Sequence, residues 1–215
     1  MQSRDNVSRV FAIIGLLVGI VALTIGFAAF NQVLTIQSSA EVDVADTPLD
    51  IAFSTSSSSQ VDGDVTPVMT GGGTGEDATI DGTTISGIHA KFTAPGQKAT
   101  YTFNVFNSSA FVAKLKSATF ANVSGESSKK ICTAADSSVT QSYVNAACNG
   151  ISIKVIVGTT SPLTITDTQS SLSRDLAAHT GEQVVVEIEY ANGSSEADGD
   201  FEIAFGDITL NYSTV

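Results

Sequence analysis

The stretch Val184-Val185-Val186-Glu187-Ile188-Glu189-Tyr190 decides the fold. Val184, Val186, Ile188 and Tyr190 fall on one side of an extended chain, and Val185, Glu187 and Glu189 fall on the other. A period of two marks a half-buried β-strand. The same pattern sets Tyr101, Phe103 and Val105 against Thr102 and Asn104, and Ile151, Ile153, Val155 and Val157 against Ser152, Lys154 and Ile156. Further strands are expected at Leu34 to Val42, Leu49 to Ser54 and Ile85 to Phe92, with loops at Ser56 to Ser59 and Gly71 to Gly75. Phe201, Ile203 and Phe205, then Ile208, Leu210 and Tyr212, are separated only by Gly206 and Asp207, which predicts a closing hairpin. No amphipathic helix is evident after the N-terminal leader. The fold class is therefore all-β, a jelly-roll or immunoglobulin-like β-sandwich of about eight or more strands, preceded by one N-terminal hydrophobic helix. Laying Gly96 over Gly181 aligns Tyr101, Phe103, Val105 and Asn107 with Val186, Ile188, Tyr190 and Asn192, an echo read as two equivalent strands rather than a duplication.

The leader fixes the compartment. Val10 to Phe30 is a run of 21 residues without a charge, preceded by Arg4 and Arg9 and followed by Glu41, Asp43 and Asp46. Such a run spans a bilayer as a helix, and basic residues ahead of it hold its N-terminus in the cytoplasm. Its length suits a retained anchor, in which Gly15 and Gly19 form a GxxxG that can pair two helices. The small residues Gly26, Ala28 and Ala29 at its outer end suit a signal peptidase, with cleavage after Ala28 or Ala29 to leave Ala29 or Phe30 first. Residues 1–29 are thus a signal peptide or a membrane anchor, and residues 30–215 a single extracellular β-sandwich domain. A type IV pilin leader is disfavoured, because no acid follows Asp5 until Glu41. With no second apolar segment before Val215, attachment is expected through the leader or through assembly.

The 186 residues after Ala29 hold 8 basic and 21 acidic side chains, a net charge of −13, which argues against nucleic acid and against an anionic lipid face. Cys132 and Cys148 are expected to form a disulfide in an exported chain, two buried thiols being the alternative. Only His89 and His179 are present, the first in an expected strand and the second in a turn, and neither lies in a zinc motif. Neither HExxH nor GxSxG occurs, so no enzyme is expected, although paired carboxylates are plentiful enough for glycoside cleavage to stay open. Asp62-Gly63-Asp64 and Asp198-Gly199-Asp200 are turn sequences that also suit calcium, with Asp198, Asp200 and Asp207 the first residues to consider. Sequons at Asn107, Asn122, Asn192 and Asn211 fit surface turns or strand ends.

The segment Ala94-Pro95-Gly96-Gln97-Lys98-Ala99-Thr100-Tyr101-Thr102-Phe103-Asn104-Val105-Phe106-Asn107, continuing to Ala113-Lys114-Leu115, resembles the TasA/camelysin group of secreted bacterial proteins. The junction Gly26-Phe27-Ala28-Ala29-Phe30-Asn31 is similar to the site at which those proteins are cut by a dedicated signal peptidase. The Cys132–Cys148 pair and the glycine-rich Gly71 to Gly75 depart from that pattern. The resemblance implies a jelly-roll subunit of extracellular fibres, in which the freed N-terminal strand of one copy completes the sheet of the next. The partner is then the chain itself, as a homopolymer, or a related subunit. Leu34, Ile36, Ala40 and Val42 are the residues expected to fill the acceptor's pockets, while the same strand can instead pair at home. The competing reading is a membrane-anchored adhesin or binding module that keeps Val10 to Phe30 and uses the loops at one end of the sandwich for contact, with Ser56 to Gly75 the candidate stretch.

Overall fold

A computed structural model of the protein describes residues 31–36, 49–135 and 137–214, the first of these as backbone. Among the described residues the regular structure is β apart from one short helix. Its strands are β1 (Asn31–Ile36), β2 (Ile51–Ser54), β3 (Gly63–Val65), β4 (Val68–Thr70), β5 (Thr74–Glu76), β6 (Ala78–Asp81), β7 (Thr84–Ser86), β8 (His89–Phe92) and β9 (Lys98–Asn107). They continue with β10 (Ala113–Phe120), β11 (Lys130–Ala134), β12 (Ile151–Val157), β13 (Leu163–Ile165), β14 (Arg174–Leu176), β15 (Thr180–Tyr190), β16 (Phe201–Phe205) and β17 (Ile208–Thr214). One helix, α1 (Gln141–Cys148), interrupts them.

Three sheets pack around one core. A seven-stranded sheet runs β14-β10-β17-β1-β7-β6-β3, a six-stranded sheet runs β13-β12-β15-β9-β2 with β4 also paired to β9, and a four-stranded sheet runs β11-β16-β8-β5. The alternation in the three decisive stretches is the cause of the six-stranded sheet. Val184, Val186, Ile188 and Tyr190 of β15 are buried on the side that also buries Tyr101, Phe103 and Val105 of β9 and Ile151, Val155 and Val157 of β12. The echoed strands β9 and β15 are antiparallel neighbours, with Tyr101 opposite Val186. Phe53 of β2 meets the Phe103 ring edge-on at 5.4 Å, and Tyr190 meets Phe201 of the four-stranded sheet at 5.7 Å. The first edge contact lies within one sheet, whereas the second ties two sheets together.

Four expectations are corrected. The runs Phe201–Phe205 and Ile208–Thr214 do not form a hairpin: β16 pairs with β11 and β8, whereas β17 pairs with β10 and β1. Gly206-Asp207 carries the chain from one sheet to another, and the Gly206 N–H donates to the Lys129 carbonyl. Ile85 to Phe92 is likewise two strands in two sheets, broken at Gly87, whose φ of +77° an L residue rarely adopts. Ser56 to Ser59 carries no strand, as expected, but Gly71 to Gly75 is not all loop, because β5 begins at Thr74. Finally, the Cys132–Cys148 stretch contains α1, a helix too short to stand alone, held by burial of Val144 and Ala147 and by the disulfide to β11.

Candidate functional site

The strand nearest the leader sits inside a sheet rather than on its edge. Asn31 to Ile36 pair antiparallel with Ser213 to Ile208 of β17, residue against residue. On the other side, Thr35 and Ile36 pair parallel with Thr84 and Ile85 of β7. No ladder joins β17 to β7 directly. Among the described residues, β1 is therefore the only bridge between β14-β10-β17 and β7-β6-β3. The walls of this seam are apolar toward the core: Ile208, Leu210 and Tyr212 of β17 and Ile85 of β7 are all buried.

The two ends of β1 are different places. At its start, Asn31 faces Ser213, Thr214 faces Ala113, and Ala113 faces Leu176. The buried Asn107 binds this end together, donating from Nδ2 to the carbonyls of Phe111 at 2.8 Å and of Leu176 and Ala177 at 3.2 Å. Its Oδ1 accepts from the Ser109 N–H at 3.1 Å. Ile51, which opens β2, faces Asn107 and so belongs to the same end. At the far end, Ile36 faces Ile208, which in turn faces Phe120. A cavity of about 270 Å³ opens there, lined by Ile88, His89, Ile153, Ile203, Phe205 and Ile208. Residues 37–48 must join Ile36 to Leu49, from one end of the seam to the other.

Polar groups near the seam serve the framework. Tyr101 Oη lies 2.6 Å from the His89 carbonyl and 2.9 Å from that of Glu76, and accepts from the His89 N–H at 3.2 Å. Burial pushes its phenol up to about 12, against the opposing pull of the His89 backbone bond. Arg174 of β14 donates from Nε to Glu182 at 2.8 Å and from Nη1 to the Ser161 carbonyl at 2.8 Å. The Glu182 hydrogen bond is the chief reason that guanidinium is held charged even more firmly than usual. His89 Nδ1 stands 3.7 Å from Glu76, and His89 lies in β8 as expected, with His179 in a turn at a φ of +53°.

The site residues named from sequence divide as follows. Leu34 and Ile36 fall in β1, opposite Leu210 and Ile208, and the strand pairs within its own chain. Ala40 and Val42, and the cleavage residues Ala28, Ala29 and Phe30, lie outside the described residues. Cys132 and Cys148 form the disulfide, with Cα atoms 5.9 Å apart. Asp198 accepts from the Thr140 N–H at 2.9 Å, and the Thr140 side chain first and this N–H second hold its carboxyl below the ordinary value, while Asp200 pairs with Lys91 at 2.6 Å. Asp62 accepts from the Gly82 N–H at 2.8 Å and Asp64 from Thr79 Oγ1 at 2.9 Å. Among the described residues, no group of three or more His, Cys, Asp or Glu side chains converges as a metal site would require. Of the sequons, Asn107 falls at a strand end, the last residue of β9, where its amide is buried and committed to three carbonyls.

Sequence reading placed the wall residues in strands but missed their pairing with β1, and it missed the side chain of Gln141, which donates to the Cys132 carbonyl at 2.9 Å and accepts from the Ala134 N–H at 3.1 Å. Only the apolar face of β17 carried a local signal. No protein-family model, no curated protein and no solved structure matches the chain.

Proposed function

We propose that the protein is an exported structural subunit that builds an extracellular or cell-surface fibre by donating β1 to a neighbouring copy. The observation that supports this reading is the position of β1, the first strand after the leader and the single bridge across the seam between β17 and β7 among the described residues. Removing it leaves two facing strand edges, and unpaired edges beside an apolar floor are what a donated strand satisfies, by main-chain hydrogen bonds and by side chains in pockets. Exchange keeps the same contacts as home pairing, so concentration and the link between strand and body set the balance. That link is residues 37–48, whose twelve residues reach up to about 40 Å when extended, whereas β1 is roughly 17 Å long. Home pairing is therefore unstrained and available to a monomer, and release of β1 makes the same chain both donor and acceptor. The jelly-roll description and the likeness to the TasA/camelysin group belong to this reading.

The test uses the chain from Phe30 and a shorter chain from Asp43. The longer chain is expected to form filaments on electron microscopy as its concentration rises. The shorter chain is expected to form none and to bind a synthetic peptide of residues 31–42. Filaments from the shorter chain, or a longer chain that stays monomeric at every concentration, would overturn the reading.

A further inference from the structure

The end of the molecule at which β1 begins carries two large apolar side chains in water. Phe111 is 50% exposed and Val112 41% exposed. They do not belong to a slack loop: the Phe111 carbonyl takes hydrogen bonds from the buried Asn107 at 2.8 Å and from Ser109 Oγ at 3.3 Å, and Ala113, the next residue, is fully buried in β10. The fold thus holds both side chains out in a fixed place. Their position along the sheet follows from the register. Ala113 faces Thr214, one residue beyond Ser213, and Ser213 faces Asn31. Val112 and Phe111 therefore lie past the start of β1, on the side from which the chain arrives.

What arrives is the uncharged run Val10 to Phe30, with no residue between Phe30 and the paired Asn31. Wherever this run spans a bilayer, the body has no spacer and its β1-start end must sit at the lipid surface. We infer that Phe111 and Val112 dock into the interfacial layer of the bilayer, seating the leader-bearing chain upright on the membrane with the 270 Å³ cavity at the distal end. An aromatic ring is suited to that layer, where an apolar body meets a wet boundary. The occupant is a zwitterionic lipid surface, because a body of net charge −13 is repelled by anionic headgroups. This inference concerns the chain that still carries its leader and stands apart from strand exchange.

The chain contains no tryptophan, so a single introduced indole is an unambiguous reporter. The full chain carrying Phe111→Trp is reconstituted in phosphatidylcholine vesicles whose acyl chains are brominated near the headgroup. A second full chain carries Val68→Trp instead. Val68 is 65% exposed and faces Thr100 of β9, seven residues along that strand from Asn107, so it reports the opposite end. The expected result is that the Phe111→Trp chain loses most of its indole emission in brominated vesicles relative to unbrominated ones, with the emission of the Val68→Trp chain unchanged. No quenching at position 111, or equal quenching at both positions, would overturn the inference. Val112→Trp supplies a second reporter at the same end and is expected to be quenched as Phe111→Trp is.

Discussion

The side-chain amide of Gln141 donates to the carbonyl of Cys132 at 2.9 Å, and the disulfide from that same Cys132 closes on the last residue of the helix that Gln141 begins. β11 is an edge strand, and Gln141 also accepts from the Ala134 N–H, so one side chain occupies two groups that a foreign strand would seek. The disulfide keeps it there. Replacing both cysteines with serine is expected to cost about 3 kcal/mol, the scale for a loop of this length, read as a lower urea midpoint. Reducing agent should lower the midpoint of the native protein to the same extent; an unchanged midpoint would remove the tether from the account. Gln141→Ala is expected to cost about 1 kcal/mol and to raise self-association in light scattering at high concentration.

Glu187 of β15 sits between Lys98 of β9, at 3.3 Å, and Lys154 of β12, at 2.6 Å, and its side chain is 14% exposed. Burial alone would raise its carboxyl, but the hydrogen bonds and charge of Lys154, then of Lys98, outweigh burial and hold it below the ordinary value. A depressed folded value means stability that is present above the unfolded carboxylate range and is lost as the pH falls through the folded value. Glu187→Gln should therefore destabilise the protein at pH 7, by about 1 to 2 kcal/mol, with the gap to the native protein closing in acid. Urea titrations across the acid range read this directly, and a gap independent of pH would count against the triad.

How much of this was legible can be argued from particular strands. β9, β12 and β15 were readable because each buries one face, and a period of two survives in the letters. Which strand pairs with which was not, because pairing is non-local: Phe201–Phe205 and Ile208–Thr214, joined by Gly206-Asp207, carry the same local signal as a hairpin yet lie in different sheets. The short strands β3 to β7 fall in a stretch rich in Gly, Ser and Thr, where polar letters hide the alternation. Leu34 and Ile36 were legible as a strand beyond the leader, but the parallel partner β7 was not, since two residue pairs leave almost no pattern. Helix α1 was missed because Ser, Asn and Ala dominate it and only Val144 and Ala147 face inward.

The sheet change at Gly206 makes a sharp test of that corner. A Cβ on Gly206 would overlap the Ala121 carbonyl oxygen and come within 2.6 Å of the Asn122 carbonyl carbon. Both obstacles are backbone, held by the Ala121 N–H bond to the Asp207 carbonyl at 2.8 Å, so no rotamer relieves them. Gly206→Ala is expected to destabilise by about 2 to 4 kcal/mol, far more than an exposed Gly→Ala elsewhere. Gly125→Ala is not a fair control, because its φ is +81°; Ser124→Ala, at an exposed position nearby, is the better one. Equal thermal midpoints for Gly206→Ala and Ser124→Ala would show that the chain does not turn its corner there.

Alkaline pH probes the hydroxyl that links β9 to β8. Tyr101 is fully buried, and burial pushes its phenol from an ordinary 10.0 up to about 12, with Glu76 and Asp77 adding in the same direction and the His89 backbone bond opposing. The neutral form is thus the one the fold prefers, and its contribution is whole below pH 10. Between the unfolded and folded values the unfolded chain has lost the proton that the folded chain keeps, so stability falls as the pH rises. Two units of separation amount to about 2 to 3 kcal/mol by pH 12. The buried Tyr212, raised chiefly by burial and further by Glu182, steepens the fall. Urea midpoints measured from pH 8 upward should stay flat to about pH 10 and then drop, with the tyrosinate absorbance of the buried phenols appearing together with unfolding. In Tyr101→Phe the midpoint starts lower, because the His89 N–H loses its acceptor, and the alkaline drop becomes shallower. Full tyrosinate absorbance at pH 10 in a chain that remains folded would refute the burial argument for these phenols.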